Sequence, residues 1–237
     1  EARNYKVDQS FVNQMINASA LDNGLHAGDL KFVDLDGNNK IEQTTSANDR
    51  KDMKVIGNSL PRYNYNFGIS ADWYGIDFSV LFQGIGKQNW YPGAETSMFW
   101  GPYSRPYASF IPSDFMSQVW SEENTNAYFP RPRGYVALGS NRELAVVNTK
   151  YLQNLAYCRL KNLSIGYTLP DKWLSKIGFE KIRVYFSGEN LLTFTKLHSD
   201  YIDPEQASAS NSWKTSKSDA NIYPWAKTYS FGVDITF

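Results

Sequence analysis

Cysteine occurs once and histidine twice in the 237 residues, and these shortages exclude much chemistry. Cys158 cannot form an internal disulfide, and a lone thiol is ordinarily a packing group rather than a nucleophile. His26 and His198 lie in different segments, and neither has a cysteine or carboxylate at a metal-ligand spacing. Net charge is also missing: 24 basic residues balance 24 acidic ones, so no basic footprint argues for nucleic acid. No apolar run approaches the roughly 20 residues that a spanning helix needs. Ser164 in LSIGY has no preceding glycine and is no nucleophile elbow. Gly84 and Gly86 lack the third glycine and following helix of a dinucleotide site. The chain reads as a non-enzyme that requires no cofactor.

Aromatic residues, by contrast, make up 16% of the chain, and many of them alternate. From Trp225 to Phe237 the odd positions are apolar or aromatic apart from Lys227, while the even positions are small or polar. A period of two puts the two sets on opposite faces of a strand. A soluble core gains little from a large aromatic at a fraying chain end, whereas a membrane barrel uses one at its interfacial girdle. Tyr229, Phe231, Val233, Ile235 and Phe237 are therefore read as a barrel-assembly signal on a closing strand, with an ordinary edge strand as the plainer alternative.

Four more segments alternate in the same way. Tyr63, Tyr65, Phe67, Ile69, Ala71 and Trp73 oppose Arg62, Asn64, Asn66, Gly68, Ser70 and Asp72. A tight turn at residues 74–76 then returns the chain through Phe78, Val80 and Phe82, which makes a hairpin. A third strand is expected from about Asn154 to Leu169 and a fourth from about Ile182 to Lys196. Gly188 and Asn190 fall on the apolar face of the fourth, so a bulge is expected there. Connections come in two sizes, as the periplasmic and extracellular sides of bacterial barrels require. The resulting plan has an extracellular loop region at 1–59, a hairpin at 60–86, a long aromatic loop at 87–151, a second hairpin at 152–196, a loop at 197–223 and the closing strand at 224–237. Five strands cannot close a membrane barrel, which takes at least about eight. The chain also begins at Glu1 rather than Met. It is therefore expected to be part of something larger.

The runs GDLKFVDLDGNNK from Gly28, YNFGISADWYGIDFSVLFQG from Tyr65, YLQNLAYCRLKNLSIGYTLP from Tyr151, IRVYFSGENLLTFTK from Ile182 and the final YSFGVDITF occur in order over nearly the whole chain. Together they resemble the carboxyl-terminal part of SusC/RagA-like TonB-dependent transporters. The resemblance implies an all-β fold: the last five strands of an antiparallel transmembrane barrel, about 22-stranded as plugged outer-membrane transporters are, with long extracellular loops. It implies import of oligosaccharides or oligopeptides across the bacterial outer membrane. The implied partners are the lipid bilayer, a SusD-like surface lipoprotein lid, the remaining amino-terminal barrel and plug, and the TonB complex. A surface carbohydrate-binding β-domain without transport and a TonB-dependent siderophore receptor remain the alternatives.

Two loops carry candidate sites. Asp34, Asp36, Asn38, Lys40 and Glu42 occupy positions 1, 3, 5, 7 and 9 of a calcium-loop pattern, which gathers the oxygen ligands that Ca²⁺ prefers. Position 6 is Asn39 rather than Gly and position 12 is Thr45 rather than an acid, so a polar turn held by Asx bonds competes with a Ca²⁺ site over residues 34–45. In the long loop, Trp90, Tyr91, Trp100, Tyr103 and Trp120 are candidates for stacking on substrate, with Arg131 and Arg133 as hydrogen-bond donors. The competing reading is that these rings pack on each other or on the lid. A short helix capped by Ser113 is expected over 112–121.

Overall fold

The computed structural model describes residues 27–38, 40–44, 46–104, 111–139, 143–175, 178–210 and 224–237. The chain divides into two units. One is a wall, Asn58–Trp90, Gln153–Lys214 and Ile222–Phe237; the other is a lobe, Glu1–Gly57, Tyr91–Leu152 and Thr215–Asn221.

The wall is a five-stranded antiparallel sheet in the order β1 (Arg62–Trp73), β2 (Ile76–Lys87), β5 (Tyr157–Thr168), β6 (Lys181–Thr195) and β7 (Thr228–Thr236). A short pair, β3 (Asn89–Trp90) and β4 (Gln153–Asn154), extends from β2 and β5. Tyr74 and Gly75, both at positive φ (48° and 84°), form the two-residue turn between β1 and β2, the backbone that matches the twist of a hairpin. A helical turn, α2 (Asp171–Leu174), sits in the next short connection, where the alternation gave no sign of it. β7 starts three residues later than its alternation suggests. The Trp225 N–H donates instead to the Asp203 carboxylate at 3.2 Å.

Register sorts the two faces across all five strands. Ser70, Ser79, Ser164, Ser187 and Ser230 lie in one cross-strand row. The next row on that face runs through Gly68, Leu81, Asn162, Glu189 and Thr228. On the other face Ala71, Phe78, Ile165, Phe186 and Phe231 form one row, and Trp73, Ile76, Tyr167, Val184 and Val233 another. The apolar face is uncovered: Phe231 is 83% exposed and Ile69 61%. A water-soluble sheet would cover such a face, because leaving it in water forfeits roughly 25 cal/mol for each Å² of apolar area.

The expected bulge is present. Registry shifts between Leu160 and Asn162 opposite β6, and Asn190 has φ 53°. A second shift, opposite β2, makes Lys161 an extra residue in β5. One extra residue reverses the phase of alternation. This keeps Tyr157 and Arg159 on the polar face above the bulge while Asn162 and Ser164 hold it below.

Among the described residues, the lobe has little regular structure beyond α1 (Ser97–Trp100) and 3₁₀ turns at Gly101–Tyr103, Phe115–Gln118 and Gly134–Leu138. The helix expected over 112–121 is only the second of these turns, preceded by Asp114 with no side-chain cap, so Ser113 does not cap it. Its core is aromatic. Trp100 packs edge-on against Phe99 at 4.8 Å and Tyr151 at 5.2 Å, and Phe129 stacks on Phe115 at 4.7 Å. Offset and edge-to-face pairs like these contribute about 0.5–1.5 kcal/mol each beyond the area they bury. Their polar tips find main-chain acceptors: Trp100 Nε1 donates to Pro92 O, Tyr103 Oη to Pro130 O and Tyr151 Oη to Tyr128 O.

Candidate functional site

The aromatic candidates divide by burial. Trp100 and Tyr103 are 0% and 1% exposed, so the structure corrects the expectation that they stack on substrate: both faces of each ring are already covered by protein. Burial also drives the Tyr103 phenol well above its ordinary range. Tyr91 donates its hydroxyl to Leu144 O at 2.7 Å and accepts from Asn148 Nδ2 at 2.8 Å, which ties two stretches of the loop together. Trp120 is half-buried and lies over Gly28 (φ 88°), where any Cβ would fall 2.4 Å from its ring. Trp90 belongs to the wall, buried in β3.

Arg131 and Arg133 are likewise committed. Arg131 Nε donates to Asp29 at 2.7 Å, and Arg133 Nη1 lies 3.0 Å from Glu143 and 3.5 Å from Asp29. The Asp29 and Glu143 side chains are each 2% exposed. Burial raises the Glu143 pKa despite the opposing charge of Arg133, since desolvating a carboxylate outweighs one imperfect pairing. Separately, the lobe holds a cavity of about 320 Å³ lined by Phe32, Leu35, Ile41, Met53, Ile56 and Val147, which the sequence patterning did not suggest.

In the acidic loop the structure gathers Asp34, Asp36 and Asp52, whose carboxylate oxygens lie within 4.8 Å of one another. Asp52 lies outside the spacing pattern of residues 34–45. Its two oxygens accept the N–H groups of Leu35 and Glu42, each at 2.7 Å. Asp34 accepts from Gly37 N, Asp36 from Asn38 N and Asn38 from Lys40 N, the Asx bonds of a polar turn. The Glu42 carboxylate takes Asn38 Nδ2 at 3.2 Å and lies 3.7 Å from Lys51. Asn39 and Thr45 lie outside the described residues.

On the wall, the polar face carries an ionic network that the alternation reading missed. Arg159, 2% exposed, donates from Nη2 to Asp203 at 2.6 Å, from Nη1 to Glu205 at 2.7 Å and from Nε to Thr193 Oγ1 at 2.9 Å. Lys161 Nζ reaches Glu205 at 3.1 Å and lies 5.3 Å from the Trp225 ring centre. At the opposite end of the strands Arg183 pairs with Asp77 on β2 and Asp234 on β7. The clue available in sequence was an arginine within an otherwise strand-like run; its partners, some 44 residues away, have no local signature.

The chain is 32% identical over 212 residues to TonB-dependent receptor P3 of Formosa agariphila, across 87% of this chain and 19% of that protein. It is 26% identical to TonB-dependent receptor P26 of the same organism, across 94% of this chain and 21% of that one. Among solved structures, the RagAB peptide importer in its closed-closed state superposes with a TM-score of 0.55 at 25% identity, across 86% of this chain and 20% of that one. This chain carries barrel strands of a SusC/RagA-like TonB-dependent receptor. No family model matches it. The chain spans about a fifth of the length of the curated TonB-dependent receptors it matches. The relatives are receptors and an importer rather than enzymes. Strands of a transmembrane barrel alternate residues between two surfaces, and the same alternation separates Phe231 and Ile69 from the serine row and Arg159.

Proposed function

We propose that the chain forms part of the wall of an energy-coupled importer in the bacterial outer membrane, with an oligosaccharide or oligopeptide as substrate. The observation that carries this reading is the sheet's two-sidedness, with uncovered apolar rows opposite a mainly polar face. The dimensions agree. Along β1, Tyr63 and Tyr65 lie at one end and Trp73 at the other, beside Tyr74 in the turn, all of them exposed. That span of roughly 34 Å at about 3.4 Å per residue, tilted by about 40°, covers roughly 26 Å of bilayer, close to the height of an outer-membrane apolar band. In this reading β1 and β7, the sheet edges among the described residues, pair with further barrel strands, since an open edge in lipid leaves backbone groups unsatisfied. A SusD-like lipoprotein serves as the lid, and the TonB complex supplies energy through a segment outside this chain. RagAB, named as a peptide importer, supports peptides as one substrate class.

The test is uptake by intact cells. Loss of the full-length protein should abolish import of one oligomer class, and removing TonB from otherwise normal cells should do the same. Uptake that persists unchanged in both strains for every oligosaccharide and oligopeptide offered would overturn the proposal. Soluble, folded behaviour of the 237-residue chain in detergent-free buffer would instead favour a surface glycan-binding domain.

A further inference from the structure

We infer that residues 199–207 form a fixed constriction clamped onto the polar face of the wall, and that Arg159 is the residue that positions it. This deepens the transport reading and rests on it for its consequence, that the clamped segment limits which solutes pass. After β6 the chain does not lead away into water. Leu197, Ile202, Asp203 and Ala207 are all buried, at 7%, 4%, 6% and 1% exposure. The His198 N–H donates to the Gln153 side chain. The segment closes with a short helix, α3 (Pro204–Ser210).

Asp203 is the hub. Its carboxylate accepts from Arg159, from the Trp225 N–H at the entry to β7, and from the N–H groups of Glu205 and Gln206 at 2.9 and 3.3 Å, while its carbonyl takes the Ala207 N–H. One side chain thus joins the loop to β5, through Arg159, and to the start of β7. Arg159 shares its row with Gln83 and Thr193 on the polar face, so the segment it holds lies on the interior side. The bulge contributes as well: by inserting Lys161 it directs a second cation to Glu205, giving two bases for two acids. Buried ion pairs are poor sources of net stability because desolvation offsets their attraction, but breaking one strands an uncompensated charge. That asymmetry suits a clamp: the segment has one permitted seat and a large penalty for leaving it.

The experiment uses the full-length transporter, with heat-modifiable migration on gels as the check that each variant is folded. Amides of residues 205–207 should exchange slowly in the unaltered protein, and slowly still at 0.5 M salt, since buried pairs are weakly screened. Arg159→Gln and Asp203→Asn, one on the strand and one on the loop, should each speed that exchange by about a hundredfold or more, while Arg159→Lys should restore part of the protection. Passage is read with Asn162→Cys, one row along the polar face, in a Cys158→Ala background. A bulky polyethylene-glycol maleimide should label Cys at 162 slowly relative to a small methanethiosulfonate, and Asp203→Asn should raise that ratio by about tenfold. Fast exchange in the unaltered protein, or protection unmoved in both clamp variants, would overturn the clamp. Released exchange with an unchanged labelling ratio would overturn the constriction. None of these readouts uses a transported substrate, so failure of the import proposal would show separately, in the uptake of intact cells.

Discussion

Glu143 shows how one buried carboxylate shapes the lobe's response to pH. Its oxygens are enclosed, its pairing with Arg133 is off the hydrogen-bonding direction, and its pKa is raised by burial. A carboxyl whose folded pKa exceeds its unfolded value binds more protons when folded, so stability falls as pH rises between those two values and is flat beyond them. The midpoint of lobe unfolding, followed by aromatic fluorescence in the full-length protein, should therefore fall as pH rises from the ordinary glutamate range through the raised value. Glu143→Gln should remove that slope, because glutamine does not titrate. A slope that survives the substitution would locate the titration elsewhere. Trp100 and Tyr103 are held instead by packing and by main-chain acceptors.

Elements differ in how much of them the sequence displays. β1, β2, β5 and β6 follow from alternation nearly to the residue because one face must be apolar along its whole length, and the bulge was visible because Gly188 and Asn190 broke the phase. The lobe and the Asp203 segment were not readable in that way. Their order comes from contacts between distant residues, such as Arg159 with Asp203 and Arg131 with Asp29, which no local period encodes. Aromatic content could not separate core rings from exposed ones in the long loop. The acidic loop illustrates the same limit, since spacing pointed to Asp34 through Glu42 while folding brought in Asp52. Because Asp52 holds Leu35 and Glu42 by their N–H groups, Asp52→Ala should increase hydrogen exchange at both amides in calcium-free buffer. Losing two hydrogen bonds to a charged acceptor corresponds to roughly 1.5–3 kcal/mol each where solvent is excluded, and to less in this exposed loop. Protection that appeared only on adding calcium would assign the loop to a bound cation instead.

At the scale of the whole molecule, the proposed function requires that the same five strands present two different solvents with two different surfaces. Adjacent residues of β7 test this directly. Ser230 lies in the serine row and Phe231 in the apolar row beside Phe186, at the same height along the strand. Arginine at 231 would have to sit in hydrocarbon, at about 2–4 kcal/mol near the bilayer midplane and less toward the interfaces. Arginine at 230 would stand in water, beside small side chains that leave it room. Phe231→Arg should therefore lower the amount of heat-modifiable full-length protein in outer-membrane fractions and reduce its stability to denaturant in lipid. Ser230→Arg should leave both near the unaltered level. A globular domain with its core on the aromatic side would also lose stability with Phe231→Arg, but that loss would appear in detergent-free buffer and would not depend on bilayer thickness. Reconstitution in lipids of graded chain length separates the two cases, because only a lipid-facing arginine changes its cost as the interface moves closer. Equal penalties for Ser230→Arg and Phe231→Arg would mean that the faces do not meet different solvents, and the outer-membrane reading would fall with them.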